Sequence, residues 1–273
     1  MGNHLIFMHL PKCGGTTFHR VLEQQYTSTD IFDIKVVNQV RLNTQEFIDL
    51  LQKQRDSIKL IKGHMEFGLH SYFSNSADYI TFLRDPIERI ISYYYYVKRR
   101  PNHRLRQHGL FTDEMSLYEF VTQIDEGDIH NGQIRFISGV QTTDKQLMLD
   151  KARENIKKYF AFVGTIEQFD TCLMVLKKKY GWTMPYYSIE NKTSNRPNLE
   201  AIDSKTIQAI KERNKEDIEL YNEVSDQLED IIKQHKTMSF DLLKFYTYAR
   251  YKQFKTRVYQ ILRKGYSKLV REK

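Results

Sequence analysis

His4-Leu5-Ile6-Phe7-Met8-His9-Leu10-Pro11-Lys12-Cys13-Gly14-Gly15-Thr16-Thr17-Phe18 is the stretch that decides the fold. Residues 4–10 form an apolar run of strand length, and a helical pattern begins at Thr17 and reaches Gln25. Between them lie two glycines, which let the backbone curl until successive N–H groups face one anion. The helix that follows adds its free N–H groups and the positive end of its dipole. Lys12 supplies a mobile cation, and Thr16 and Thr17 supply hydroxyl donors. Lys12, Cys13, Gly14, Gly15, Thr16 and Thr17 are therefore read as a phosphate-binding loop. A loop of the nucleotide triphosphatase type would carry lysine just after the last glycine, within Gly-Lys-Ser/Thr. Here the lysine comes before both glycines, and Gly-Lys-Ser/Thr occurs nowhere in the chain.

Working outward, the runs at 57–64, 78–85 and 161–169 also read as buried parallel strands, with a weaker one at 31–37. Helical patterns separate them at Thr17–Gln25, Thr44–Arg55, Pro86–Lys98, Leu117–Asp125 and Gln168–Lys179. That alternation predicts a P-loop-like α/β domain of three layers, a central parallel sheet flanked by helices. One or two charged helices are expected from Asp203 to His235, and the stretch 98–114 reads as a basic loop.

A second candidate site follows the strand at 78–85. Asp85, Pro86 and Glu88 form a strong helix start, with Asp at the cap, Pro at the first helical position and Glu at the third. Arg84 thus stands at the carboxyl end of a strand, where open α/β sheets bind ligands. Ser92 lies about two turns along the helix. An arginine fork with a hydroxyl grips a second phosphate.

Together these two stretches resemble the cofactor signature of sulfotransferases that use 3′-phosphoadenosine-5′-phosphosulfate (PAPS). The likeness is strongest to the carbohydrate branch that includes the heparan sulfate 2-O-sulfotransferases. It rests on Pro11 to Thr17 and on Arg84-Asp85-Pro86-Ile87-Glu88-Arg89 through Ser92-Tyr93-Tyr94-Tyr95. It continues more weakly through Asn131 to Arg135, Phe162-Val163-Gly164 and Asn191-Lys192-Thr193. The resemblance implies that the first loop holds the 5′-phosphosulfate and that Arg84 and Ser92 hold the 3′-phosphate. It also implies that His64, in Lys62-Gly63-His64 at a strand end, is the catalytic base. A neutral imidazole near pH 7 suits removal of a hydroxyl proton. Lys12 would neutralise charge on the leaving phosphate, with product 3′-phosphoadenosine-5′-phosphate (PAP). No metal is expected, because no Cys/His cluster has zinc spacing.

The acceptor side is expected to be a glycan or another hydroxyl-bearing molecule. Glu66 and His70 are candidates beside His64, and His9 is a further lining residue. Arg99 and Arg104, in the basic loop, are read as contacts to an anionic acceptor. Lys192, Thr193 and Arg196 fall in a polar loop expected to cover the cofactor. Two other function classes compete: an ATP-dependent phosphotransferase on a P-loop-like fold, and a non-catalytic nucleotide- or glycan-binding module.

Ten basic residues stand against two acidic ones from Ser239 to Lys273, while the rest of the chain balances. The basicity thus belongs to a tail, and residues 1–238 need no nucleic acid to explain their charge. From Tyr251 the apolar positions Phe254, Val258, Ile261, Leu262, Tyr266, Leu269 and Val270 recur at helical spacing among lysines and arginines. Residues 239–273 therefore read as a basic amphipathic helix, placed either on a membrane surface or against protein. The chain passes straight into its first strand, no run reaches membrane-spanning length, and two cysteines build no disulfide framework. The expectation is a cytoplasmic protein, with the tail as its only candidate contact to the inner membrane face. The heparan sulfate enzymes carry an N-terminal membrane anchor, and none is expected here.

Overall fold

The computed structural model of the chain describes residues 4–37, 41–187 and 199–271. Its first strand, β1 (His4–Met8), is buried along its whole length, as expected of a strand covered on both faces. The phosphate loop leads into α1 (Gly15–Leu22). Then come β2 (Ile31–Ile34), the short antiparallel pair β3 (Val36–Val37) and β4 (Arg41–Leu42), α2 (Thr44–Ile48), α3 (Gln52–Ser57) and β5 (Leu60–Gly63). β6 (Ala77–Leu83) feeds α4 (Pro86–Lys98), followed by α5 (Arg104–Gln107), α6 (Leu117–Gln123), α7 (Gly132–Ser138) and α8 (Lys145–Tyr159). The chain continues through β7 (Phe160–Thr165), α9 (Phe169–Tyr180), α10 (Ser204–Arg213), α11 (Lys215–Gln234) and α12 (Met238–Arg271).

Among the described residues the main sheet has five strands, all parallel, in the order β2-β5-β1-β6-β7. Alternation along β1 divides the interior. Ile6 and Met8 join a core with Ile134 and Ile137 of α7, Met148 and Leu149 of α8, and Leu220 of α11. Leu5 and Phe7 join the opposite core, with Phe18, Val21 and Leu22 of α1 and Leu173 and Leu176 of α9. The three-layer α/β architecture is thus as expected. Burying Phe18, Val21 and Leu22 contributes roughly 1.5–3 kcal/mol each. That packing anchors the helix whose first turn carries the phosphate loop. A third core joins α4, α6 and α10 through Ile91, Phe120 and Ile210.

Several expectations need correction. The helix expected over Thr44–Arg55 is two helices. Arg55 Nη1 reaches back to the carbonyl oxygen of Ile48 at 2.5 Å and to that of Leu50, satisfying the end of α2. The basic loop after α4 contains the short helix α5. Two helices, α7 and α8, stand where none was read. α7 starts at Asn131, which has φ 52°, and its Gly132 sits where a Cβ would lie 2.3 Å from the Arg89 guanidinium. The tail is helical through Gly265, and its first turns enter the second core through Met238 and Phe245.

Candidate active site

The loop after β1 is bent at two points. Lys12 has φ 67° and Gly14 φ 70°, both in the left-handed region. For Lys12 that conformation is strained, as often found where backbone N–H groups are aimed at a ligand. Gly14 and Gly15 cannot be replaced without collision. A Cβ on Gly14 would lie 2.2 Å from Ile166 Cδ1, and one on Gly15 1.9 Å from the His9 ring. Gly15 and Thr16 open α1, so their N–H groups lie among those without an intrahelical acceptor. Lys12 Nζ lies 4.0 Å from the centre of the Tyr96 ring, and the Arg100 guanidinium lies 4.6 Å from the same ring. Burial, then Arg84, Arg99 and Arg100, lower the Lys12 pKa to about 8. A cation held this way among other cations is under electrostatic pressure that an anion would relieve.

Arg84 comes off the end of β6 and turns to the same loop. Its Nη1 donates to the Lys12 carbonyl oxygen at 3.3 Å, and its Nη2 pairs with Glu88 at 3.3 Å. Its Nε is buried and has no hydrogen-bond partner among the described residues. On α4, Arg89, Ser92 and Tyr96 share one face by helical spacing. Arg89 Nε donates to the Pro11 carbonyl oxygen at 3.3 Å, and Tyr96 underlies Lys12. Ser92 stands between two residues that touch the loop.

The loop and the end of β6 are held in register from the far side by a polar hub. Gln133 accepts from Arg84 N at 2.9 Å and donates to Arg84 O at 3.0 Å, and the Cys13 thiol donates to it at 3.5 Å. Asp217 accepts from Gln133 N at 3.0 Å and Ile134 N at 2.8 Å and faces Arg89 at 3.9 Å. Burial pushes the Asp217 carboxyl up, while Arg89 and the two amides pull it down.

His64 follows β5. Its Nδ1 donates to the His9 carbonyl oxygen at 2.7 Å, and the two rings stack with centroids 4.0 Å apart. A carbonyl can only accept, so the proton of neutral His64 sits on Nδ1 and the lone pair is on Nε2. His9 Nδ1 lies 3.1 Å from His19 Nε2. Burial lowers all three imidazoles: His64 below its ordinary value, His9 well below, and His19 to about 4. Each is neutral at pH 7. A cavity of about 410 Å³ opens beside them, lined also by Thr16, Arg20, Glu23, Asp33 and Lys62. Lys62, almost fully buried, pairs with Glu23 at 2.8 Å and Asp33 at 2.5 Å across that cavity. Among the described residues no group of three or more His, Cys, Asp or Glu side chains is placed to hold a metal ion.

A model of the sulfotransferase family matches residues 2–222. The chain belongs to the sulfotransferase family. No curated protein matches the chain. The matched span runs from β1 into α11, so it includes the loop, Arg84, Ser92, His64 and the hub. Sulfuryl transfer is the chemistry of that family, and PAPS is its usual donor. The chain's own residues fit such a donor at two places: the glycine cradle of the loop and the unpartnered Arg84 Nε.

Not every residue singled out in the sequence of this family member joins that group. Cys13 turns inward: its N–H donates to Leu10 O at 3.2 Å, and burial pushes its thiol up to about 12. Glu66 accepts from Gln141 at 3.2 Å on the exposed surface. His70 bonds to the Tyr79 hydroxyl at 3.2 Å and packs on Tyr159, beside the middle of β6 and not its carboxyl end. Arg104 is held by Glu126 at 3.0 Å, while Arg99 is exposed and acts on Lys12. Lys192, Thr193 and Arg196 lie outside the described residues. Sequence reading missed Tyr96, His19 and Asp217, and met Gln133 only inside the weaker stretch of likeness from Asn131 to Arg135. Tyr96 had a signal, since it lies one turn beyond Ser92 on the same helix face.

Proposed function

We propose that the protein moves the sulfuryl group of PAPS to a hydroxyl of a carbohydrate acceptor by in-line displacement, with His64 as the base. The observation that carries this reading is the His64–His9 hydrogen bond, which leaves Nε2 of a neutral imidazole free to accept a proton beside the phosphate loop. PAPS supplies an activated sulfuryl group on a phosphate leaving group. Around it, the N–H groups of Gly15 and Thr16 with Lys12 meet charge at the 5′ end, as preorganised donors do. Arg84 and Ser92 meet the 3′-phosphate. The acceptor occupies the cavity beside His64, where Asp33, Glu23, His19 and Lys62 supply the dense polar lining that a polyhydroxyl molecule requires. The resemblance to the heparan sulfate branch supports a sugar acceptor. The test is turnover of labelled PAPS against glycans, glycolipids and small hydroxyl compounds. Transfer to none of them, with PAP bound no better than ATP-Mg²⁺, sinks the proposal.

The donor assignment makes a separate prediction. PAP is expected to raise the melting temperature more than adenosine 5′-phosphosulfate, which lacks the 3′-phosphate, and more than ATP-Mg²⁺. Arg84→Ala removes a charge-assisted contact of roughly 1.5–3 kcal/mol. That is about 10- to 150-fold in PAP affinity, with little effect on adenosine 5′-phosphosulfate. Calorimetric titration of both nucleotides checks it, and equal affinity for the two in the wild type contradicts the role of Arg84 and Ser92.

A further inference from the structure

The last helix carries two opposed apolar faces, and the protein body uses only one. Met238, Leu242 and Phe245 face the core, and Tyr246 donates to Asp170 at 2.9 Å. Phe240, Leu243, Tyr251 and Phe254 point to solvent, 56%, 62%, 57% and 68% exposed. At about 100° per residue the centre of this second set lies about 170° from that of the first. The solvent-facing stripe is therefore not the one that docks the helix. Beside it, Met184, Leu243, Thr247, Tyr248 and Tyr251 line an open apolar hollow of about 610 Å³, which widens the surface beyond one helix. In sequence the same period continues through Val258, Ile261, Leu262 and Leu269.

Charge identifies the occupant. From Leu242 to Arg271 the chain has nine lysines and arginines and no acidic residue. By helical spacing Arg250 borders the stripe on one side, with Lys244 and Lys255 on the other. Lys244 Nζ lies 4.1 Å from the Phe240 ring centre, so an ammonium and an aromatic already share the edge. An apolar stripe with aromatic residues and flanking cations matches the boundary between acyl chains and anionic headgroups. A second copy of the helix fits poorly, because stripe-to-stripe pairing brings cationic flanks together. We infer that α12 is a membrane-docking helix that lays its Phe240–Leu243–Tyr251–Phe254 face into an anionic lipid surface. This inference is independent of the reaction proposed above. Among the described residues no helix is long and apolar enough to cross a membrane.

The test uses the full chain and vesicles of phosphatidylcholine alone or with one part in three phosphatidylglycerol. Binding to the anionic vesicles is expected to exceed that to the neutral ones by at least about tenfold. Raising salt from about 0.1 M to about 0.5 M is expected to weaken it. Leu243→Gln with Phe254→Gln keeps every charge and changes only exposed positions, which thermal melting verifies. It should reduce binding about tenfold or more. Arg250→Glu with Lys255→Glu should do the same through charge alone. A full chain that stays in the supernatant with anionic vesicles at low salt overturns the inference. So does wild-type binding by the Leu243→Gln, Phe254→Gln chain. A dimer in vesicle-free solution that this double variant fails to form assigns the stripe to a second copy instead.

Discussion

Replacing His64 by alanine is expected to lower kcat by about 10²–10⁴-fold and to leave PAP affinity nearly unchanged. The size follows from the chemistry of the proposed reaction: an alcohol attacks only as it loses its proton, and in that proposal the imidazole takes it. The selectivity follows from the geometry, because His64 is tied to the His9 backbone and not to the loop donors. The pH dependence has a definite sign. Burial lowers the His64 pKa, so its basic form persists below the ordinary imidazole value. The acid limb of kcat/KM should therefore lie below pH 6.5, with the rate rising as pH rises through it. Lys12, lowered to about 8 in the free protein, loses its charge above that pH. The alkaline limb of kcat/KM for PAPS should thus fall near pH 8. In kcat that limb moves upward, since a bound anion keeps the proton on Lys12. Near-normal turnover by the His64→Ala chain, or an unchanged acid limb in its residual rate, assigns the base to another group.

Asp217→Ala is expected to destabilise the fold by about 3–5 kcal/mol, a large share of the roughly 5–15 kcal/mol of a typical domain. Asp217 is 1% exposed, and so is Arg89. Truncating the carboxylate leaves a buried guanidinium without its counter-charge and two buried amides, Gln133 and Ile134, without an acceptor. Urea unfolding measures the loss. Because the same hub carries Gln133, which clasps Arg84 on both sides of its peptide unit, weaker PAP binding should accompany it. A loss under about 1 kcal/mol would mean that water replaces the carboxylate there.

What the sequence disclosed depended on whether the signal was local. β1, β5, β6 and β7 announced themselves as continuous apolar runs, because strands covered on both faces carry no polar alternation. The start of α4 was legible to the residue, since Asp85, Pro86 and Glu88 are chemically specific to a helix N-terminus. His64 and Arg84 were legible because each ends a strand next to the loop. Asp217 looked like one more acidic residue on a charged helix. Only the fold places it beneath α7, 84 residues from Gln133 in sequence. His70 illustrates the opposite error. Six residues from His64, it packs beside Tyr79, because the short helical turn at Leu69–Tyr72 carries it away from the strand end.

One consequence concerns how such a chain can change its preferences. β2 is one of the two edge strands of the sheet and among the described residues pairs only with β5. Asp33 and Lys35, which wall the cavity next to His64, belong to that strand and the residue after it. The parts proposed to grip the donor sit on the other side of His64, at the ends of β1 and β6 and on α4, braced by the buried hub. Substitutions at the exposed Lys35 therefore reshape the pocket's rim without touching the clasp on Arg84, whereas Asp33 is tied to the buried Lys62 and has to keep its charge. For a protein engineer, the position just after the edge strand is the adjustable rim, and the buried hub behind Arg84 is the part to leave alone.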